Sequence, residues 1–283
     1  MLASPVKEFA MSRGLNVYQP VKIRNNTEFI EEIKSLNPEV ICVVAYGKIL
    51  PKEILDIPEK GCINVHGSLL PKYRGAAPIQ WAVLNGDKTT GITTMYMDIG
   101  MDTGDMILRR EVEIGEDETT GELWDRLADL GAETLVETLI QIENGTAVRT
   151  KQGDDFSVAP MLDKSMAKID WNVQSAKQIK NLIRGLNPIM GAFSLLDGKK
   201  IKLWKCKLLS YEVFKKEFDV ENTTIVEKEG NGSILISDCK RGLYIKAKDG
   251  IIKVLEIQGE NAKKMQVEDF LRGNKIEEGK KFE

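Results

Sequence analysis

An α/β domain built on an open sheet, followed by a small antiparallel β-barrel, is the fold class predicted for this chain, and three observations predict it. Apolar runs alternate with helix-period segments through Glu143, a stretch without periodicity follows, and beyond it short strands separated by Gly- and Asn-containing turns take over. The 283 residues, 42% apolar and 29% charged, are enough to bury two ordinary cores and exclude a disordered tail.

In the first half, Thr27 to Ser35 has helical spacing with acidic residues in its first turn, and Asn37-Pro38 ends it. Glu39 to Tyr46 (EVICVVAY) is nearly all apolar, the composition of a central parallel strand covered on both faces. Cys62 to His66 is a second short strand ending at Gly67, and the β-branched run Gly91 to Met97 is a third. Ala76 to Leu84 is predicted helical between them. Met106 to Ile114 is a further strand, and Thr119 to Glu143 a long amphipathic helix opened by Thr119-Thr120 with Glu122 in its first turn.

Residues 146–168 hold Gly153, Asp154-Asp155 and Pro160 without periodicity, as expected of a linker between a domain over 1–145 and another over 169–283. In the latter, Ser175 to Leu186 is predicted helical. Strands are predicted over 193–196, 200–209, 223–227, 233–237, 243–247 and 251–257, with turns at Asp197-Gly198, Gly230-Asn231-Gly232 and Asp249-Gly250. In KKIKLWKCKLL, alternation of Lys with apolar residues sends the charges to one face.

The net charge of −3 conceals an asymmetry: residues 1–160 carry 16 Lys+Arg against 25 Asp+Glu, and residues 161–283 carry 24 against 18. A basic second half permits a polyanion partner, although a solvated lysine-rich surface reads the same way. No run approaches the roughly 20 apolar residues of a membrane span, and MLASPVKEFA lacks the order of a secretory signal, so a cytoplasmic protein is expected. The four cysteines form no CxxC pair and His66 is the only histidine; core thiols are expected, and no metal site.

Three polar residues fall where an α/β sheet places its ligands. Asn64 and His66 lie two apart at the end of a strand, hence on one face, and Asp102 lies in the loop after another strand. An amide that donates to a carbonyl oxygen, an imidazole that donates or moves a proton, and a carboxylate that holds the imidazole are competent for acyl transfer. With no nucleophile elbow, the acyl group would pass directly to an amine. On spacing alone, a lone His at a strand end is more often a structural hydrogen-bonder than a catalytic group.

The run NVHGSLLPKYRGAAPIQ at 64–80, followed by GITTMYMDIGMDTGDM at 91–106, resembles the methionyl-tRNA formyltransferases. The resemblance extends from Ser4-Pro5-Val6-Lys7 through VVAYGKILP at 43–51 to Ile169-Asp170-Trp171, Arg184 to Pro188 and KLWK at 202–205. It implies a Rossmann-like formyltransferase domain followed by an OB-like barrel that binds tRNA. The implied activity moves the formyl group of 10-formyltetrahydrofolate to the amino group of methionine on initiator tRNA, in a monomer with no metal. Asn64 would hold the formyl oxygen, His66 would stabilise the charge developing there, and Asp102 would orient His66, favour its protonated form and relay protons. Ser68, Leu69, Leu70 and Pro71 would contact folate, with packing as the alternative for Leu69 and Leu70. Lys72 and Arg74 could meet a folate tail or tRNA phosphate, or simply be solvated. Lys199, Lys200, Lys202, Lys205 and Lys207 are candidates for phosphate contacts, and Trp171 and Trp204 for base stacking or core.

Relative to the family pattern the first βα unit and its tRNA-contacting loop are missing, and Ile189-Met190 follow Asn187-Pro188 where a Trp and a second Pro are usual. The missing unit would leave strand edges unpaired and one wall of the site open. The alternatives are therefore a catalytically dead chain that retains RNA binding, or a sugar-amine N-formyltransferase.

Overall fold

A computed structural model of the chain describes residues 3–218, 226 and 229–283. The first sheet runs β1 (Ile41–Val44), β2 (Cys62–His66), β3 (Thr89–Tyr96), β4 (Met106–Glu113) in that spatial order; β1 and β2 are parallel, and the other pairings antiparallel. The helices of this half are α1 (Pro5–Ser12), α2 (Thr27–Ser35), α3 (Lys52–Leu55), α4 (Pro78–Asn85) and α5 (Thr120–Glu143). The predicted helix over Thr27 to Ser35 and strand over Cys62 to His66 recur residue for residue.

β1 departs from its expected central place. Among the described residues it is the edge strand: Val43 packs with Ile30 and Ile54 under α2 and α3, while Cys42 and Val44 are exposed. The apolar run suits burial on both faces, but only one face and one edge are covered here. Of the thiols, Cys62 and Cys206 are buried as expected, burial pushing Cys206 up to about 12, whereas Cys42 is exposed and Cys239 half-buried.

α5 closes one face of the sheet. Leu123 and Leu127 join Ala82, Val83 and Ile92 in the core, and Gly131 lets the helix approach Val65, whose Cγ1 would lie 3.2 Å from an added Cβ. Its start is the reciprocal cap that the sequence predicts: Thr119 Oγ1 accepts from the Glu122 amide, and the Glu122 carboxylate accepts from the Thr119 amide at 2.8 Å. Thr119→Ala is expected to lower unfolding free energy by about 1 kcal/mol, read from a urea midpoint. The bond from the Thr119 backbone also holds the Glu122 carboxyl below its ordinary value of 4.5. That contribution is full above the ordinary value and is lost as pH falls through the lowered one.

The second half packs an antiparallel sheet against α6 (Ala176–Gly185). The strands are β5 (Ala192–Leu196), β6 (Lys199–Leu209), β7 (Ile234–Asp238), β8 (Gly242–Ala247), β9 (Gly250–Gln258) and β10 (Met265–Gln266), with α7 (Tyr211–Phe218) and α8 (Val267–Gly273) outside them. The order is β5-β6-β9-β8-β7, with β10 on β9. Among the described residues β5 and β7 do not pair, so the expected barrel is not closed by its own strands. Instead the tail bridges the gap: Glu283 exchanges both backbone bonds with Leu195, and Phe282 and Lys280 bond to Gly232 and Ile234. The strand expected at 223–227 lies outside the described residues except for Val226, which is buried with Phe214 and Tyr244.

On β6 the register against β9 shifts between Leu203 and Lys205 and again between Lys205 and Cys206, and this irregularity keeps Lys202, Lys205 and Lys207 on the outer side while Leu203, Trp204 and Cys206 are buried. Both Trp171 and Trp204 are core, their indole N–H groups donating to Ser194 and Gln258 at 2.9 Å.

The two halves meet across α4 and α6. Arg184, buried on α6, donates to the carbonyls of Gly115 and Glu118 and to Asn181; Thr120 Oγ1 donates to Gly185 O; and Lys180 pairs with Asp117 at 2.7 Å. Gly121 N donates to Asn187 O, and Asn187 Nδ2 to Trp204 O, so the segment that departs from the family pattern is part of this junction.

Candidate active site

The end of β2 places Asn64 and His66 on one face, and both side chains reach Asp102 from the β3–β4 loop. Asn64 Nδ2 lies 3.5 Å from Asp102 Oδ1, and His66 Nδ1 lies 3.6 Å from Asp102 Oδ2. The structure thus brings together all three residues singled out from the sequence. Both separations are long for a strong direct bond, which leaves the amide, and Nδ1 when the ring carries a proton on both nitrogens, able to donate to an oxygen placed among them.

The imidazole is oriented by its other nitrogen. His66 Nε2 is 2.9 Å from the carbonyl of Tyr73, which can only accept, so Nε2 carries a proton and Nδ1 is the edge turned toward Asp102. Tyr73 is itself anchored: it sits at φ +63°, its amide donates to Ser157 Oγ, and its phenol donates to Asp87 and accepts from Asn85. His66 is 5% exposed and Asp102 15%, so the site opens to solvent through Asn64 and Asp102 rather than through the ring.

Asp102 stands at φ +56°. Its Oδ2 accepts from Gly75 N at 2.8 Å, tying the β3–β4 loop to the loop after β2. The Asp98 carboxylate caps Gly100 N and Thr103 Oγ1, and Gly104 runs so close to β3 that an added Cβ would lie 1.8 Å from Tyr96 O. Gly104→Ala is expected to displace the loop and to lower stability by about 2 kcal/mol or more, read as a fall in urea midpoint together with lost turnover.

The loop Gly67 to Pro71 is held from below. Thr93 Oγ1 accepts from Leu70 N and donates to Ser68 O at 2.6 Å, Arg109 donates to Leu70 O, and Ser68 Oγ donates to Lys72 O. Ser68 and Leu70 are fully buried, Leu70 packing on Met95 and Met106, whereas Leu69 and Pro71 are half-buried. Lys72 is paired with Asp87 at 2.9 Å. Arg74 turns inward, its Nε donating to Gln152 and its guanidinium lying over Phe156, 4.5 Å from the ring centre.

The segment 150–160 makes contacts at the site that the sequence did not announce. It runs along the site loops: Arg74 exchanges backbone bonds with Ser157 and Ala159, and Thr150 does so with Met106. Lack of periodicity, which marked it as a linker, is also how a strap of single backbone contacts reads. Among the described residues no cluster of three or more His, Cys, Asp or Glu is placed to hold a metal ion, and no helix is long and apolar enough to cross a membrane.

Two family models match the chain, "Formyl transferase" over residues 2–139 and "Formyl transferase, C-terminal domain" over residues 161–275. The methionyl-tRNA formyltransferase of Ruminiclostridium cellulolyticum is 48% identical over 283 residues, covering 100% of this chain and 86% of the relative. That of Caldanaerobacter subterraneus is 50% identical over 280 residues, covering 98% and 84%. Among solved structures, HypX from Aquifex aeolicus in complex with tetrahydrofolic acid superposes with a TM-score of 0.64 at 18% identity, covering 86% of this chain and 40% of that one. The sugar 3N-formyl transferase WlaRD, in the presence of dTDP and 5-N-formyl-THF, gives 0.63 at 18% identity, covering 88% and 80%. These two likenesses bear on the fold alone, but identity near one half across both domains does more: the chain belongs to the methionyl-tRNA formyltransferase family.

Proposed function

We propose that the protein transfers the formyl group of 10-formyltetrahydrofolate to the methionyl amino group of initiator tRNA, in the cytoplasm, as a monomer. The observation that carries the chemistry is the triangle of Asn64, His66 and Asp102, with edges of 3.5 and 3.6 Å onto the carboxylate. Residues 1–145 carry the chemistry, and residues 169–283 hold the tRNA through the outward lysines of β6.

The loop above the triangle fits a flat folate: Leu69 and Pro71 offer half-buried apolar surface, while Ser68 and Leu70 serve the loop's shape from inside. As the amine attacks, a C–N bond forms to the formyl carbon and the bond from that carbon to the folate nitrogen breaks. Asn64 Nδ2 and the Nδ1–H edge of His66 donate to the formyl oxygen as negative charge builds on it. Asp102 holds the proton on Nδ1 and, through water, takes the proton that the amine nitrogen loses once it has attacked, the same relay returning a proton to the departing folate nitrogen. Transfer is direct, with no side-chain nucleophile involved.

The test is formyl transfer from 10-formyltetrahydrofolate to initiator Met-tRNA, with a dTDP-amino-sugar as the competing acceptor and tRNA binding followed against salt. Formylated tRNA and a steep fall of affinity with salt are expected. Turnover on the sugar alone would replace the acceptor, and tRNA binding without turnover would leave an RNA-binding chain.

A further inference from the structure

The Gln152 side chain lies within the connecting segment yet makes its contacts at the active site. Its Nε2 donates to the carbonyls of Asp102 and Gly104, at 2.8 and 2.9 Å, and its Oε1 accepts from Arg74 Nε at 2.9 Å. One amide therefore joins the two loops that the Asp102 carboxylate already joins through Gly75 N.

We propose that Gln152 is a positioning residue of the transferase, acting through the backbone of Asp102 and touching neither substrate; this rests on the function proposed above. Asp102 is a non-glycine residue in the left-handed region, φ +56°, a conformation that persists only where its surroundings over-determine it. Two carbonyls in this loop, those of residues 102 and 104, turn to one point, and both amide protons of Gln152 meet them there. Without that donor the two carbonyls look for water and the loop relaxes away from φ > 0, swinging the carboxylate off Nδ1 of His66. A shift of the order of 1 Å in a catalytic group is enough to lower turnover by one to two orders of magnitude.

The contact with Arg74 offers a competing account, in which Gln152 merely tethers the loop after β2. Two substitutions separate them. Gln152→Met removes donors and acceptor at nearly constant shape. Gln152→Glu keeps an acceptor for Arg74 and strengthens it with charge, but removes the donors and sets a carboxylate against two carbonyls.

The experiment measures kcat and both KM values for the intact chain and the two variants, with backbone amide exchange followed by mass spectrometry. Both variants are expected to lose about tenfold or more in kcat, with KM for folate and for tRNA within about threefold. Exchange should quicken across residues 98–105 and remain unchanged in β3. The inference is overturned if Gln152→Glu keeps wild-type kcat, which would assign the role to Arg74, or if both variants stay within about twofold of wild type in kcat. It is also overturned if exchange rises uniformly, the mark of a general loss of structure. Exchange reads the loop whatever the acceptor: an unchanged loop in Gln152→Met sinks this inference alone, whereas absence of formyl transfer by the unsubstituted chain sinks the proposed function.

Discussion

His66→Ala is expected to lower formyl transfer at saturating substrates by about 100-fold or more, because the substitution removes the Nδ1 donor at the point where charge develops. The ring is buried and its Nε2 satisfies the carbonyl of Tyr73, so the variant also leaves an unpartnered backbone oxygen and a small void. A stability loss of about 1–3 kcal/mol accompanies the kinetic one. The two are separable by measuring single turnover at a temperature where circular dichroism shows the variant folded. Unchanged turnover in folded protein would remove His66 from the chemistry; turnover that recovers on cooling, in step with the folded fraction, would make the residue structural.

Asp102→Asn is the sharper substitution, since shape is kept and charge removed. The single oxygen of the new amide still accepts from Gly75 N, but the other position now carries an NH2 group facing the Asn64 amide, donor against donor. The carboxylate that holds the proton on Nδ1 is gone. The expected result is a fall in kcat of about 100-fold or more, with KM for folate little altered and the urea midpoint close to that of the parent. A variant with a lowered midpoint and full turnover would show that the carboxylate only closes the two loops.

Much of the fold was legible because its signals are local. The capping box at Thr119 and Glu122, the Gly- and Asn-containing turns of the second half and the short strand ending at His66 all act within a few residues of themselves. Three things were not legible. The edge position of β1 depends on what lies beside it, which an apolar run does not encode. α3, with four residues, is too short to show a period, and α8 lacks a side-chain cap of the kind that announces α5. The completion of the second sheet rests on four residues at the tail whose own composition, KKFE, says nothing of strand pairing.

The candidate site divides in the same way. Asn64 and His66 declare a shared face by their spacing and Asp102 stands in a loop after another strand, and the structure brings that carboxylate to both. What spacing could not show is the support beneath them. Leu70, grouped by resemblance with the folate contacts, is packed on methionines inside the loop. Gln152 acts 50 residues away from Asp102 through a side chain, and no local pattern carries such a contact.

His66 is the chain's only histidine. Every imidazole C–H resonance in a proton NMR spectrum of this protein therefore comes from one ring, lodged between Tyr73 and Asp102. The molecule reports on its own chemistry without isotope editing: a single pair of lines, followed against added folate, tRNA or a change at position 152, reads the site directly.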